Sequence, residues 1–407
     1  MNELKRSIGL PLLLFFGLGN ILGAGIYVLI GKIAAEAGLF TPIAFFIAAL
    51  VAAFSAFTYS ELSARYSYSS GVASYVAEGF HTLNLTRLTG LLVASVGVVT
   101  SATIARGFHG YLSVFFSVPE WLSISVLILT LGLLTIWGIT QSVSVVAVMT
   151  VVEIAGLLLV IWAGKDALVG LPAEITTLTP PADADIWIGI LMGAFLAFFA
   201  FTGFEDMVTI AEEVKKPAKT LPAGIILSLF LATVLYALVA LVAILTLDQT
   251  ALSASHAPLT DVIIASSDIN PSIITLISIF AIINGALIQM IMVSRMLYGM
   301  AAKGWIWHGF AEVNASTQTP IIASLVVIAI ILGLALWFPL VELAKTTSFL
   351  LLTIFSLVNA SLIRIKLYEE EPPSGIIINP IWVPVLGLIT SFGLIVFQLF
   401  NWLTVLN

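Results

Sequence analysis

Long apolar runs broken by short polar stretches dominate the chain. A helix that crosses a bilayer needs about 20 mainly apolar residues. Eleven stretches approach or exceed that length: residues 8–33, 42–62, 88–116, 121–139, 142–164, a sixth starting at 186, then 222–247, 272–300, 320–337, 341–363 and 382–403. A loop with Pro172, Pro180 and Pro181 parts the fifth run from the sixth. The connector 248–271 is long enough to fold over the protein as an ordered, moving outer lid.

Two runs are interrupted. The first carries Gly17, Gly19, Gly23, Gly25 and Gly31. Each weakens a helix by roughly 1 kcal/mol relative to alanine, and Gly23-Ala24-Gly25 falls near the middle. A helix unwound there exposes backbone N–H and C=O groups. Lipid does not accept such groups, so the turn must face protein or a ligand cavity. The alternative is a glycine face for close helix packing. The sixth run contains Phe201-Thr202-Gly203-Phe204-Glu205-Asp206, a glycine followed by two acids well before its inner end. Five runs separate the starts of the two halves, which therefore enter from opposite faces. Breaks in corresponding positions of inverted halves are the pattern of transporters built on inverted repeats. The expected division is 1–165 for the first repeat, 166–185 for an outer loop, 186–366 for the second repeat, and 367–407 for an inner loop and an eleventh helix.

Composition turns these runs into a class. Of 407 residues, 60% are hydrophobic and 9% are charged, against about 25% charged in soluble domains. This is an all-α integral membrane protein in contact with lipid. The net charge of −7 is thinly spread and implies no nucleic-acid partner. With no cysteine, disulfides and thiolate chemistry are excluded. Lys5-Arg6 before an apolar run imitates a signal peptide, but the run outlasts a usual h-region. Placing the N-terminus in the cytoplasm puts eleven of the fifteen Lys and Arg residues on the inner side. Only Lys32, Arg106, Lys165 and Lys345 fall in the outer half, a positive-inside bias. An odd number of spans then leaves the C-terminus outside a cell membrane. Residues 369–371, three glutamates, read as a solvated inner loop.

The motifs are also familiar. Gly23-Ala24-Gly25-Ile26-Tyr27 resembles the small-residue break of the amino acid–polyamine–organocation transporter superfamily. Phe201-Thr202-Gly203-Phe204-Glu205, with Ala211-Glu212-Glu213-Val214-Lys215-Lys216-Pro217 and Leu221-Pro222, is similar to its sixth helix and the loop after it. Ser294-Arg295-Met296-Leu297-Tyr298, Lys303-Gly304 and Thr319-Pro320 resemble its loop between helices eight and nine. The resemblance implies a LeuT-like fold: five plus five inverted helices, discontinuous helices one and six, and here an eleventh. Many members have twelve.

An amino acid offers one carboxylate and one ammonium. Half-helix N-termini suit the first, and carbonyls freed at half-helix C-termini suit the second. By resemblance the carboxylate goes to the backbone of Ala24 and Gly25, with Gly23. The ammonium goes to carbonyls of Ile21, Phe199 and Thr202. Many relatives have serine where Ala24 stands, so the carboxylate contact here is all backbone. Phe199 matches an aromatic gate in relatives, beside its ordinary reading as a packing residue. No acidic pair selects a dibasic substrate, so neutral or apolar amino acids are expected.

Ionisable groups at membrane depth cost at least about 2.5 kcal/mol and are functional candidates. Glu153 is eleven residues from each end of 142–164, hence about 16 Å from either surface at 1.5 Å per residue. Some relatives place a lysine there. Glutamate can instead carry a proton, or ligate sodium, or stay neutral and bonded to a neighbour. Glu205 follows the second break as a cap, a proton sensor, or both. Arg106 and Lys345 read as snorkelling or locally paired. The coupling ion is expected to be a proton, with sodium symport and exchange as alternatives. A transporter-like sensor is a further reading. His81, His109, His256 and His308 are isolated and match no HExxH pattern. No enzyme activity, catalytic residue, metal or cofactor is therefore expected.

Overall fold

The computed structural model describes residues 6–66, 71–138, 143–170, 176–369 and 373–405, with the backbone alone at Ala24 and Val405. Lys5, Ser142, Pro172, Glu370 and Glu371 lie outside the described residues.

The first predicted run divides into α1, Leu10–Leu22, and α2, Ala24–Ala37, with Gly23 between them. There follow α3 (Thr41–Arg65), α4 (Val72–Phe80), α5 (Leu83–Leu112), α6 (Glu120–Trp137), α7 (Val143–Ala163) and the short α8 (Lys165–Val169). The sixth run begins as α9, Ala184–Ala197, whose N-terminus is capped by the Asp183 carboxylate accepting from Asp185 N at 2.9 Å. Then come α10 (Pro217–Thr246), α11 (Gln249–Ala254), α12 (Pro258–Ser266), α13 (Ser272–Ala302), α14 (Ile321–Trp337), α15 (Leu340–Tyr368) and α16 (Trp382–Val405). Prolines start several helices, as at Pro42, Pro217 and Pro258, where a missing N–H has no intrahelical role. Among the described residues nine helical stretches are long and apolar enough to cross a membrane; α1 and α14 are apolar but shorter.

The structure corrects three expectations. Helix α4 went unpredicted, because nine residues make no membrane-length run. Helix α10 starts at Pro217 rather than at 222, and Pro222 sits inside it. Glu369 is not merely solvated. Arg65 Nη1 donates to it at 2.7 Å while also bridging to Glu61, which Lys366 contacts at 2.7 Å. Glu61 is fully buried, and two cations with the Asn379 N–H compensate it.

Helix α1 packs on α7 and α10, whereas α2 packs on α9 and α11. The halves of one predicted run thus have different neighbours. Helices α5 and α13 pack together, as do α3 and α10, and α16 lies against α15 and α3. An isolated parallel bridge joins Ile8 to Val214, with Ser7 N and Ile8 N donating to Glu213 O and Lys215 N donating to Ile8 O at 2.8 Å.

Candidate functional site

Both interruptions form, and they touch. At the first, Gly23 leaves helical geometry (φ −17°, ψ −142°), and α2 starts at Ala24 with no side-chain cap. The first N–H groups of a helix have no partner within it, so the backbone of Ala24 and Gly25 keeps free donors there. At the second, Phe198–Phe201 tightens into a 3₁₀ turn, Thr202 is extended, Gly203 has φ +126°, and Phe204–Glu213 continues as 3₁₀ helix. Only glycine adopts that φ without strain. A Cβ on Gly203 would lie 2.6 Å from the Asn20 carbonyl carbon, and one on Gly25 would lie 2.7 Å from Ala200 Cα. Each break needs a glycine because the other break occupies the space.

Tyr236 of α10 holds the two together. Its hydroxyl is placed between Ile21 O at 2.6 Å and Ala200 O at 3.0 Å. On the far side of the first break, Tyr27 donates to the Glu153 backbone carbonyl at 2.9 Å, and Tyr111 donates to Tyr27 O at 2.6 Å.

A cavity of about 30 Å³ lies between the breaks. Its walls include Asn20, Ile21, Gly23, Gly25, Thr100, Ile104, Phe199, Thr202, Ile288 and Gln289. Five of the six predicted substrate residues, Ile21, Gly23, Gly25, Phe199 and Thr202, therefore meet around one space. Ala24 enters by its backbone alone. The carbonyls assigned to an ammonium are partly engaged: Ile21 O by Tyr236, and Phe199 O by Thr202 N at 3.1 Å. A carbonyl oxygen has two lone pairs, so each retains one acceptor site.

Thr202, Ile288 and Gln289 also line a second, much larger cavity of about 790 Å³. It reaches the side of the molecule that carries Ser7, Arg295, Lys303 and Trp305, termed here the basic side. Glu205 and Asp206 both line this vestibule. Glu205 Oε2 accepts from Gly203 N, the N–H of the break's own glycine, at 2.9 Å, and Asp206 Oδ2 accepts from Gln289 Nε2 at 3.4 Å. No acid lines the small cavity itself.

Glu153 stands apart from both cavities. It is buried at the centre of α7, and Asn284 Nδ2 of α13 donates to its Oε1 at 3.2 Å. Glu153 Oε2 and Asn284 Oδ1 have no hydrogen-bond partner. An amide beside a carboxyl serves both of its forms: the N–H₂ donates to a carboxylate, and the amide oxygen can accept from a protonated acid.

The opposite side is closed by the connector after α10. Lys32 donates to Ser253 O at 2.7 Å, and Lys345 pairs with Glu36 at 3.1 Å. The space a side chain would need at Gly31 is filled by the Leu252 carbonyl, and at Gly110 by that of His256. Within the connector Leu252, Leu259, Val262 and Ile263 are buried. Arg106 is paired with Glu120 at 3.2 Å and donates to Phe338 O at 3.1 Å.

Sequence reasoning missed Asn20, Thr100, Tyr236, Asn284 and Gln289. It weighed ionisable side chains at membrane depth, but these groups are neutral. The available signal was an amide within an apolar run, as at Asn20, Asn284 and Gln289. Nothing separates Thr100 or Tyr236 from other hydroxyls in their helices until the fold is known.

A family model described as amino acid permease matches residues 8–404. A vacuolar cationic amino acid transporter of Arabidopsis thaliana is 30% identical over 92% of this chain and 62% of its own length. A branched-chain amino acid permease of Bacillus subtilis is 27% identical over 100% of this chain and 90% of its own. An uncharacterized transporter of Mycobacterium tuberculosis is 29% identical, with 95% and 85% covered. The chain thus spans less than two thirds of the length of the plant relative and most of the length of the bacterial ones.

Proposed function

Since the chain belongs to the amino acid permease family, we propose that it moves neutral amino acids, apolar ones included, across a cell membrane by alternating access, in symport with protons. The protein is an all-α, multi-pass membrane protein of LeuT-like fold. In this reading the basic side is cytoplasmic, and the C-terminus lies outside. The observation that carries the reading is the pair of touching breaks around one cavity, with Thr202, Ile288 and Gln289 shared between its wall and that of the vestibule on the basic side. Free N–H groups of α2 receive the carboxylate, and the carbonyls of Ile21, Phe199 and Thr202 receive the ammonium. The plant relatives named for cationic amino acids support a broader substrate range. Against that, the acids Glu205 and Asp206 sit in the vestibule rather than between the breaks.

Glu153 is the proposed proton carrier. A charged carboxylate at that depth costs at least about 2.5 kcal/mol, so the neutral form is favoured when no cation is near. Its backbone carbonyl holds Tyr27, the fourth residue of α2 after the first break. Repacking on deprotonation therefore reaches the half-helix that binds substrate. The test is uptake into proteoliposomes under an imposed pH gradient. Wild type should concentrate substrate, whereas Glu153→Gln should bind and exchange it without accumulation. Accumulation by the variant equal to wild type would make Glu153 structural and turn attention to Glu205. Accumulation driven by sodium and indifferent to pH would recast Glu153 as a sodium ligand.

A further inference from the structure

The space between the breaks holds more hydrogen-bonding capacity than the shared part of an amino acid uses. Asn20 Nδ2 and Oδ1, Thr100 Oγ1 and Thr202 Oγ1 are shielded from solvent and have no hydrogen-bond partner. All three residues line the small cavity, and they come from three elements: α1, α5 and the extended residue of the second break. An unmatched buried polar group is costly, so four such atoms around one void point to something that fills it.

Thr100 is the informative one. A hydroxyl inside a helix usually satisfies itself on the carbonyl four residues back. Its neighbours in α5 do this: Ser101 donates to Gly97 O and Thr103 to Val99 O, each at 2.8 Å. Thr100 does not, although it is just as buried. Its hydroxyl is left for the cavity.

Apart from glycines, the remaining wall is the apolar Ile21, Ile104, Phe199 and Ile288 with the amide of Gln289, which is turned to Asp206 at 3.4 Å, and it carries no acid or base. The void of about 30 Å³ has room for no more than a couple of waters. Its walls must part for any substrate, least for a short one. We infer that Asn20, Thr100 and Thr202 form a side-chain subsite that selects amino acids with a short hydroxyl side chain, serine and threonine, over apolar amino acids of the same shape. This rests on the permease reading above and narrows its substrate class. A hydroxyl both donates and accepts, so it can accept a hydrogen bond from Asn20 Nδ2 or a threonine hydroxyl and donate one to Asn20 Oδ1. An isostere without it leaves the site's polar atoms unpaired, which is how such sites discriminate.

The test compares isosteric pairs on purified protein in proteoliposomes: serine against 2-aminobutyrate, and threonine against valine, each as a competitor of labelled uptake. In wild type the hydroxyl member should compete at least 10-fold more strongly, and Thr100→Val should reduce that ratio at least 5-fold. A wild-type ratio of one or less overturns the inference without any variant, so a poorly inserted Thr100→Val leaves it decidable. A Thr100→Val protein that weakens both members equally also overturns it, since Thr100 would then serve the shared carboxylate or ammonium. Uptake of arginine or lysine with none of any neutral amino acid would instead defeat the neutral-substrate reading on which the inference stands.

Discussion

The two sides of the molecule are in opposite states, one packed and one open. On the lid side α11 lies directly on α2, and the turn between α11 and α12 lies on α5, because Gly31 and Gly110 let the carbonyls of Leu252 and His256 approach where a side chain would stand. Lys32 and the Lys345–Glu36 pair fasten that surface. On the basic side a vestibule of about 790 Å³ runs up to the breaks, and polar groups at its head, Asp206 and Gln289, meet only at 3.4 Å. Closure here is made of backbone packed on glycine, and openness of side chains that have yet to tighten. The lid-side contacts are therefore the ones that must come apart for substrate to enter from that side.

Fixing the closed side shut tests this most severely. The chain has no cysteine, so a pair introduced at Lys32 and Ser253 reacts only with itself. Oxidation should abolish uptake, and reductant should restore it, while substrate added from the basic side still binds. Unchanged turnover of the cross-linked protein would mean that the lid does not move.

Gly203→Ala attacks the boundary between the sides. It places an alanine at φ +126° and a Cβ 2.6 Å from the Asn20 carbonyl carbon. Strain of about 1–3 kcal/mol corresponds to roughly 5- to 150-fold against this arrangement of the breaks. Transport should fall by that order with insertion into membranes preserved. A variant within 2-fold of wild type would show that the breaks separate during turnover.

Lys345→Met should act more weakly. The pair with Glu36 joins α15 to α2 and is part-exposed, and such pairs contribute about 0–1 kcal/mol. Loosening it should shift the apparent affinity for external substrate by no more than about 5-fold. A loss of all uptake would assign Lys345 a role beyond latching.

The smallest effect concerns pH. The Asp248 carboxylate accepts from Ala251 N at 2.8 Å at the start of α11. That N–H, followed by the Thr250 hydroxyl, holds its carboxyl below the usual range. A lowered folded value stabilises the cap fully above the ordinary carboxylate pKa near 4. The contribution is lost as pH falls through the lowered value. Amide-exchange protection factors across α11, taken relative to the intrinsic rate at each pH, should be flat from neutral pH down to about 4 and then fall. A fall near pH 6 would place its cause elsewhere.

Much of this was legible from residues. Apolar length gave the helices, and Gly23 and Gly203 gave the breaks, because a missing Cβ and a run of membrane length are local properties. Contact between the breaks was not legible. Tyr236 lies more than two hundred residues from Ile21, and its value comes from where α10 crosses both. Helix α4 escaped because the predictive signal was length. Thr100 escaped because its difference from Ser101 and Thr103 is a hydrogen bond it does not make.

The bridge between Ile8 and Val214 has a mechanical consequence. It pins the start of α1 to the chain just beyond Glu213, while Tyr236 ties the same two segments at the breaks. Two flaps tied at both ends resist swinging apart. For one to move while its mate stays home, the backbone bridge at one end or the Tyr236 hydrogen bonds at the other must break.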